Sequence, residues 1–141
     1  MNLNQIINQL KAKGYKVTQP RKTILNILLK NMSTMMTADE IFLMVKLEDQ
    51  KINRSTVYRN IDTLSELGLI YKTLSSTGIT KIKLRCCTEH HHHLICDKCG
   101  TIVVYDDCES KKYKAFAESK GFEITGHTLE LHGICSKCRL L

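Results

Sequence analysis

Two cysteine pairs are the residues of this chain whose types and spacing most clearly predict chemistry. They are Cys96 with Cys99 and, far along the chain, Cys135 with Cys138. A Cys-x-x-Cys turn directs two sulfurs to one point, and two such turns complete a tetrahedral zinc site with Zn–S distances of about 2.3 Å. Four thiolates leave no coordination position open, so we expect a structural zinc that fastens the chain end to the first pair. Two separate redox pairs, or buried cysteines, are the competing interpretations.

A run of four histidines, residues 90–93, precedes the first pair. Side chains of a strand alternate, so His90 and His92 would face one way and His91 and His93 the other. Cys86 or Cys87 would add a thiolate, and a thiolate with two imidazoles suits zinc better than ferrous iron. The alternative is a surface histidine patch that binds no metal.

Further ligands for a second site stand later in the chain. Cys108 fits a small buried residue at a helix start better than a ligand. The candidates that could close the second site are Asp106, Asp107, Glu109, His127 and His132.

The charge is unevenly distributed. Residues 1–85 hold 14 Lys and Arg against 6 Asp and Glu, whereas residues 86–141 hold 7 against 8. This asymmetry favours a first half that meets a polyanion, although a solvated lysine-rich surface would give the same count. With no signal peptide and no apolar run of membrane-spanning length, we expect a cytoplasmic protein, in which reduced cysteines bind metal.

The elements that would position these residues change character along the chain. Helical apolar spacing predicts helices over 2–13, from Thr18 onward, from a capping box at 37–40 and over 54–68. Two strands, 69–74 and 79–84, then flank a Ser-Ser-Thr-Gly turn. Helices followed by a hairpin match a winged helix-turn-helix unit, whose last helix enters the major groove while the hairpin lies along the DNA backbone.

The second half predicts a small α/β unit. Strands are expected over 93–96, 101–105 and 122–131, and a helix over 107–120 with Tyr113, Phe116 and Ala117 inward. The predicted fold class is therefore α+β, with a winged-helix domain (1–85) and a metal-binding domain (86–141).

The polar face of the fourth helix predicts DNA contacts. Arg and Asn suit guanine and adenine edges, Tyr can touch a thymine methyl, and hydroxyls bind phosphates. The residues concerned are Ser55, Thr56, Tyr58, Arg59 and Asn60. Because polar helix faces are common, this face alone is weak evidence. The prediction gains its support from the basic first half and from the hairpin that follows the helix. Lys16 and Arg21 are expected at the minor groove or the phosphates.

Four segments together resemble the ferric-uptake-regulator (Fur) family. They are Gly-Tyr-Lys-Val-Thr-Gln-Pro-Arg (14–21), Ser-Thr-Val-Tyr-Arg-Asn (55–60), His-His-His-His-Leu-Ile-Cys-Asp-Lys-Cys-Gly (90–100) and His-Thr-Leu-Glu-Leu-His-Gly-Ile-Cys-Ser-Lys-Cys (127–138). The resemblance runs nearly end to end. It implies a homodimeric, metal-dependent repressor whose second domain mediates dimerisation and carries the four-cysteine zinc.

Departures from the family's pattern point to the zinc-uptake-regulator (Zur) branch. Iron- and peroxide-sensing relatives typically have a histidine where this chain has Met35. Iron-sensing relatives also tend to have an acidic or amide residue where this chain has His92. A cysteine before the histidine run, Cys86 or Cys87, resembles the zinc branch.

The resemblance also assigns two metal sites. The sensing site would use Cys86, His91 and His93; many relatives supply a further aspartate where this chain has Tyr71, which leaves the fourth ligand open. The second site maps to His90, His92, His127 and, at or beside the family's glutamate, Glu109.

We therefore expect a zinc-responsive repressor of metal-uptake genes that binds a double-stranded DNA operator as a homodimer, with no membrane and no small-molecule substrate. Zn²⁺ would be structural and regulatory, with Fe²⁺ or Mn²⁺ as alternatives at the regulatory site. An iron- or peroxide-responsive repressor of the same family is the first alternative. A zinc-dependent enzyme with an open His/Cys site is the second, and no general base is placed for it.

Overall fold

The computed structural model of the protein describes residues 2–85 and 91–141. These residues form an α+β fold, as the sequence predicts, with a helical first domain and a sheet-containing second domain. The elements in chain order are α1 Leu3–Ala12, α2 Gln19–Lys30, α3 Ala38–Glu48, α4 Arg54–Glu66, β1 Ile70–Leu74, β2 Thr80–Leu84, β3 His92–Cys96, β4 Ile102–Tyr105, α5 Ser110–Ser119, β5 Glu130–Gly133 and α6 Ser136–Arg139. Among the described residues, no helix is long and apolar enough to cross a membrane.

Side-chain caps set the start of each helix in the first domain. The side chains of Asn2, Thr18, Thr37 and Asn53 accept hydrogen bonds from backbone N–H groups of the first turn of α1 to α4. Such caps satisfy donors that a helix leaves unpaired and stabilise it by about 1 kcal/mol each. The predicted capping box at Thr37 and Glu40 is present, with both reciprocal hydrogen bonds formed.

The apolar stripes of α1 to α4 close around one core. Ile24, Leu28, Ile41, Val57 and Leu64 are almost wholly buried there. The antiparallel hairpin β1–β2, called the wing below, adds Ile70, Ile82 and Leu84 to the same core. The wing is thus held to α4 by apolar burial, as a winged-helix unit requires.

The second domain is a three-stranded sheet in the order β4-β3-β5, with β3 antiparallel to β4 and parallel to β5. The strand predicted over 122–131 is wrong in extent, because regular pairing begins only at Glu130. Phe116 and Tyr113, predicted to face inward, are 67% and 37% exposed, whereas Ala117 is buried as predicted. The domain is too small to cover every apolar side chain that its sequence pattern marks as internal.

The wing and the α2–α3 connector both pack on the second domain. Met35 N–H donates to Gly100 O (2.8 Å), and Ile102 N–H donates to Ser33 O (3.1 Å). Lys81 and Lys83 alternate with core residues along β2, yet both are buried. Their face of the wing is therefore covered by the second domain, and these two lysines are not available to DNA.

Candidate metal centres and nucleic-acid interface

The two cysteine pairs meet in the second domain. The Sγ atoms of Cys96, Cys99, Cys135 and Cys138 all lie within 4.8 Å of one another, and those of Cys99 and Cys135 are 3.8 Å apart. Cys96 ends β3, and Cys135 immediately precedes α6. Pairing of β3 with β5 brings the two ends together, since Cys96 is in register with Gly133. Four thiol groups at these distances fit the first coordination shell of zinc.

Backbone donors prepare one of these thiols to ionise. Burial works against ionisation of Cys96, but N–H groups of Cys135, Cys99 and Lys98 bond its sulfur and lower its pKa to about 6. Burial, followed by the neighbouring thiols, raises the pKa of Cys138 to about 12. Crowded thiols cannot all ionise without a cation, whereas a divalent metal favours all four thiolates. The donor set therefore fits a zinc ion.

Gly100 fixes the turn after Cys99 against the first domain. Its φ is +75°, and a Cβ added there would lie 2.4 Å from the carbonyl oxygen of Met35. Only glycine fits this approach without displacing the backbone. The four-cysteine cluster is thereby tied directly to the α2–α3 connector.

His91 and His93 lie together beside the wing. Their ring centroids are 4.8 Å apart in an edge-on arrangement, and the Tyr71 ring lies 5.4 Å from that of His93. Nζ of Lys83 is 3.5 Å from His93 Nε2. Burial first, and then the charge of Lys83, lowers the pKa of His93 to about 4, so its imidazole is neutral at pH 7. A neutral imidazole is the form that binds a metal ion.

His92 faces the other side of β3 and lies with His127 and Cys108. Ligand atoms of these three residues lie within 4.8 Å of one another, and Cys108 Sγ is 3.1 Å from His127 Nε2. The rings of His92 and His127 have centroids 5.2 Å apart. This cluster, named the His92 site below, offers a thiol and two imidazoles, a set suited to zinc.

The predicted neighbour Glu109 lies outside the His92 site. Glu109 stands directly before α5 and pairs with Lys112 at 3.3 Å, with both side chains largely exposed. His132, another candidate, contacts Asp97 and Glu130 instead. The thiol of Cys108 takes the place expected for a carboxylate because α5 begins only at Ser110, which leaves Cys108 in the preceding loop, where it reaches His127. The alternation of the histidines along β3 could be predicted from the sequence. The residue at which α5 begins could not.

Three predicted ligands fall outside the described residues: Cys86, Cys87 and His90. Their assignments to the sensing and second sites stay predictions.

The predicted DNA face lies on the first turns of α4. Ser55 and Arg59 are exposed, as is Lys16 before α2, and Thr56 is half-buried. Tyr58 is also exposed, but its hydroxyl donates to Asp39 Oδ1 at 2.7 Å, which raises the pKa of Tyr58. The same carboxylate oxygen accepts from Arg54, so α3 and α4 are linked at their N-terminal ends.

Asn60 is not placed as the sequence predicts for a base contact. It is 7% exposed, its amide nitrogen donates to Thr56 O at 2.8 Å, and its Oδ1 accepts from Arg21 Nε at 2.9 Å. The guanidinium of Arg21 also donates to Lys16 O. Asn60 therefore orients Arg21 from inside the domain, and the helix periodicity alone did not separate it from its exposed neighbour Arg59.

Comparisons with known proteins agree with this architecture. The model of the Ferric uptake regulator family matches residues 12–132. The Bacillus subtilis ferric uptake regulation protein is 31% identical over 139 residues, covering 96% of this chain and 93% of the relative. The Staphylococcus aureus peroxide-responsive repressor PerR is 27% identical over 138 residues, covering 97% and 91%.

Solved structures agree over most of the chain. A crystal structure of the Vibrio cholerae ferric uptake regulator superposes with a TM-score of 0.73 at 31% identity, covering 95% of this chain and 100% of that one. A zinc-bound manganese uptake regulator superposes with a TM-score of 0.72 at 28% identity, covering 91% and 96%.

Proposed function

The chain belongs to the ferric uptake regulator family, whose members are metal-responsive transcription regulators, and from that premise we propose that it is a zinc-responsive, homodimeric repressor of metal-uptake genes. The observation that supports zinc as the metal is the chemistry of the two clusters that the described residues form. One is four thiols and the other a thiol with two imidazoles. Iron and manganese favour carboxylate ligands, whereas this donor set favours zinc. A cytoplasmic location, in which thiols stay reduced and can bind metal, is part of this proposal.

The three metal-binding groups have separate roles in this proposal. Cys96, Cys99, Cys135 and Cys138 hold a structural zinc. His91 and His93, with Cys86, form the sensing site at the wing. The His92 site, with His90, is a second regulatory site in which Cys108 replaces Glu109.

Metal sensing works through the contact between the wing and the second domain. His93 already lies against Lys83 and Tyr71 of the wing. A zinc ion bound to His91, His93 and Cys86 favours the arrangement in which the wing and the second domain are closed together. Its effect is limited to its differential affinity for the two arrangements; a hundredfold preference is worth about 2.7 kcal/mol. The crystal structure of the Vibrio cholerae relative is described as revealing rearranged DNA-binding domains, which supports such mobility.

Exposed apolar side chains of the second domain support the dimer. Val103, Val104 and Tyr105 on β4 are 41–55% exposed, and Phe116 of α5 and Phe122 after it are 67% and 69% exposed. Large apolar side chains left exposed on a small domain are typical of a protein interface. A second copy would bury this surface and place two copies of α4 on one operator.

DNA contact is assigned to the exposed polar residues of α4 and the segment before α2. Arg59 and Tyr58 are the candidates for base contacts. Ser55 and Thr56 would bind phosphates, and Lys16 and Arg21 would bind in the minor groove or to phosphates. Asn60 serves by holding Arg21.

One experiment tests the function and its metal. Operator binding is titrated against free zinc, iron and manganese, with the metal content of the protein measured in parallel. We expect zinc to support tight binding at the lowest free concentration. Operator binding that needs iron or manganese and ignores zinc would identify the alternative, an iron-responsive or PerR-like regulator, which the names of the relatives favour.

A pair of variants tests the division between structural and sensing metal. Cys96→Ser should release the structural zinc and unfold or monomerise the second domain. His91→Ala should leave a folded dimer that no longer responds to added zinc. Elemental analysis and size-exclusion chromatography distinguish these outcomes, and the same result for both variants would refute the division.

A further inference from the structure

Two carboxylates of the second domain hold the tip of the wing. Ser76 Oγ donates to Asp97 Oδ2 at 2.8 Å, and Lys81 Nζ donates to Asp97 O at 3.0 Å. On β1, Thr73 Oγ1 donates to Glu130 Oε2. These contacts join residues that are distant in sequence and belong to different domains. We call this set, with His132, the wing clamp.

His132 lies between the two carboxylates. Its Nδ1 is 3.0 Å from Asp97 Oδ1, and its Nε2 is 3.2 Å from Glu130 Oε2. A neutral imidazole carries one N–H and can donate to one carboxylate only, whereas an imidazolium donates to both. Each carboxylate then accepts a further hydrogen bond from a hydroxyl group of the wing. The protonated ring thus orients both acceptors toward the wing.

The wing clamp differs from an ordinary surface ion pair. Exposed pairs such as Glu109–Lys112, with side chains 58% and 75% exposed, contribute little. In the clamp, the side chains of Asp97, Glu130 and His132 are 12%, 19% and 26% exposed. Partly buried charges that share hydrogen bonds in one network interact more strongly, because solvent screens them less.

We propose that His132 is a positioning residue: its imidazolium bridges Asp97 and Glu130 and so holds the wing against the second domain in the arrangement that binds the operator. This inference deepens the proposed function and rests on it for the operator step. The contact of Lys83 with His93 lies on the same face of the wing, so the clamp and the sensing site close one interface.

The bridge gives the domain contact a pH dependence of defined sign. The hydrogen bond to Asp97 first, and then Glu130, raises the pKa of His132 above its usual 6.5. A raised pKa means that the contribution is fully present below about pH 6.5 and is lost as pH rises through the folded value. The charged groups facing the ring are Asp97 and Glu130, with Lys81 behind them on the wing.

Amide hydrogen exchange of the zinc-loaded full-length protein measures the domain contact without DNA. The N–H groups of Met35 and Ile102 donate across the domain boundary and report its opening. We expect His132→Leu to lower their protection factors at least tenfold at pH 6.5, with amides of α4 unchanged. The wild-type factors should fall between pH 6 and 8.5, and those of His132→Leu should be pH-independent. Lys112→Leu, which breaks an exposed ion pair, is the matched control. It should change neither the protection factors of these amides nor their pH dependence.

Two further variants keep the test decisive. His132→Arg retains two donors and a fixed charge, so it should preserve protection and remove the pH dependence. Thr73→Val removes one wing donor without changing side-chain size, and should lower protection in the same direction by a smaller factor. Unchanged protection in His132→Leu and Thr73→Val, or opening in His132→Arg equal to that in His132→Leu, would overturn the proposal.

Operator affinity at saturating zinc separates this inference from the function on which it rests. We expect His132→Leu to weaken binding about tenfold at pH 6.5, equivalent to about 1.4 kcal/mol, and much less at pH 8.5. If the domains open in this variant but the wild-type protein binds no operator, the proposed function fails and the clamp stands. If the wild type binds the operator in response to zinc and His132→Leu leaves the domains closed, the clamp fails alone.

Discussion

Gly100 offers a direct measure of how strongly the four-cysteine turn is fixed to the first domain. Two costs follow from Gly100→Ala. A side chain at φ +75° costs about 1–2 kcal/mol, as it does for any non-glycine residue in the left-handed region. The new Cβ would also lie 2.4 Å from Met35 O, so the backbone must move and the hydrogen bond from Met35 N–H to Gly100 O is weakened or lost, which costs about 1 kcal/mol more.

Gly121→Ala separates these two costs, because it places a side chain at a positive φ but creates no close contact with another residue. Gly121 has φ +77° and lies in the same domain, with no atom within 4 Å of an added Cβ. At about 3 °C per kcal/mol for a chain of this length, we expect a melting temperature about 3–6 °C lower for Gly121→Ala and about 6–9 °C lower for Gly100→Ala. Differential scanning calorimetry of the zinc-loaded proteins measures both.

Hydrogen exchange locates the additional loss. In Gly100→Ala the Met35 and Ile102 amides should lose protection, whereas in Gly121→Ala they should keep it. Zinc content should stay equal in the two variants, because Gly100 contributes no ligand. Equal melting temperatures and equal Met35 protection in the two variants would show that the close approach of the domains has no energetic weight.

The remaining predictions concern the second metal site and the DNA face. Cys108→Ser should weaken zinc binding at the His92 site, measured by competition with a chromophoric chelator, whereas Glu109→Gln should not; the reverse order would restore the carboxylate assignment. Arg59→Ala should cost about 1–3 kcal/mol of operator affinity and relax sequence preference, as fluorescence anisotropy on matched and altered operators would show. Asn60→Ala should weaken binding without changing base preference, because it releases Arg21 rather than a base contact, and a changed preference would contradict this role.

The sequence predicts most of the first domain because its signals are local. Caps such as Thr37 and helical spacing of apolar residues act within one or two turns, and in the structure α1 to α4 begin within one residue of the expected starts. The zinc pairs are equally local, since each Cys-x-x-Cys turn is self-contained. The alternation of His91, His92 and His93 along the chain also follows from strand geometry alone.

What the sequence does not predict depends on contacts between distant elements. The place of Cys108 in the His92 site depends on where α5 begins, and helix ends are the least certain part of a periodicity. Phe116 has the spacing of a core residue, but the small domain leaves it exposed. Lys81 and Lys83 have the alternation of a solvated strand face, and only the position of the second domain shows that they are buried.

The two faces of the wing explain why one hairpin can serve both domains. Ile82 and Leu84 turn inward to the helical core, while Lys81 and Lys83 turn to the second domain. On the partner strand, Tyr71 pairs with Lys83 and Thr73 with Lys81, so each lysine shares its face with a residue that contacts the second domain. Opposite them, His93 and Glu130 are register partners on β3 and β5. The proposed sensing site and the wing clamp therefore lie side by side in one contact between the domains, and we expect a change in either one to alter the stability of the other.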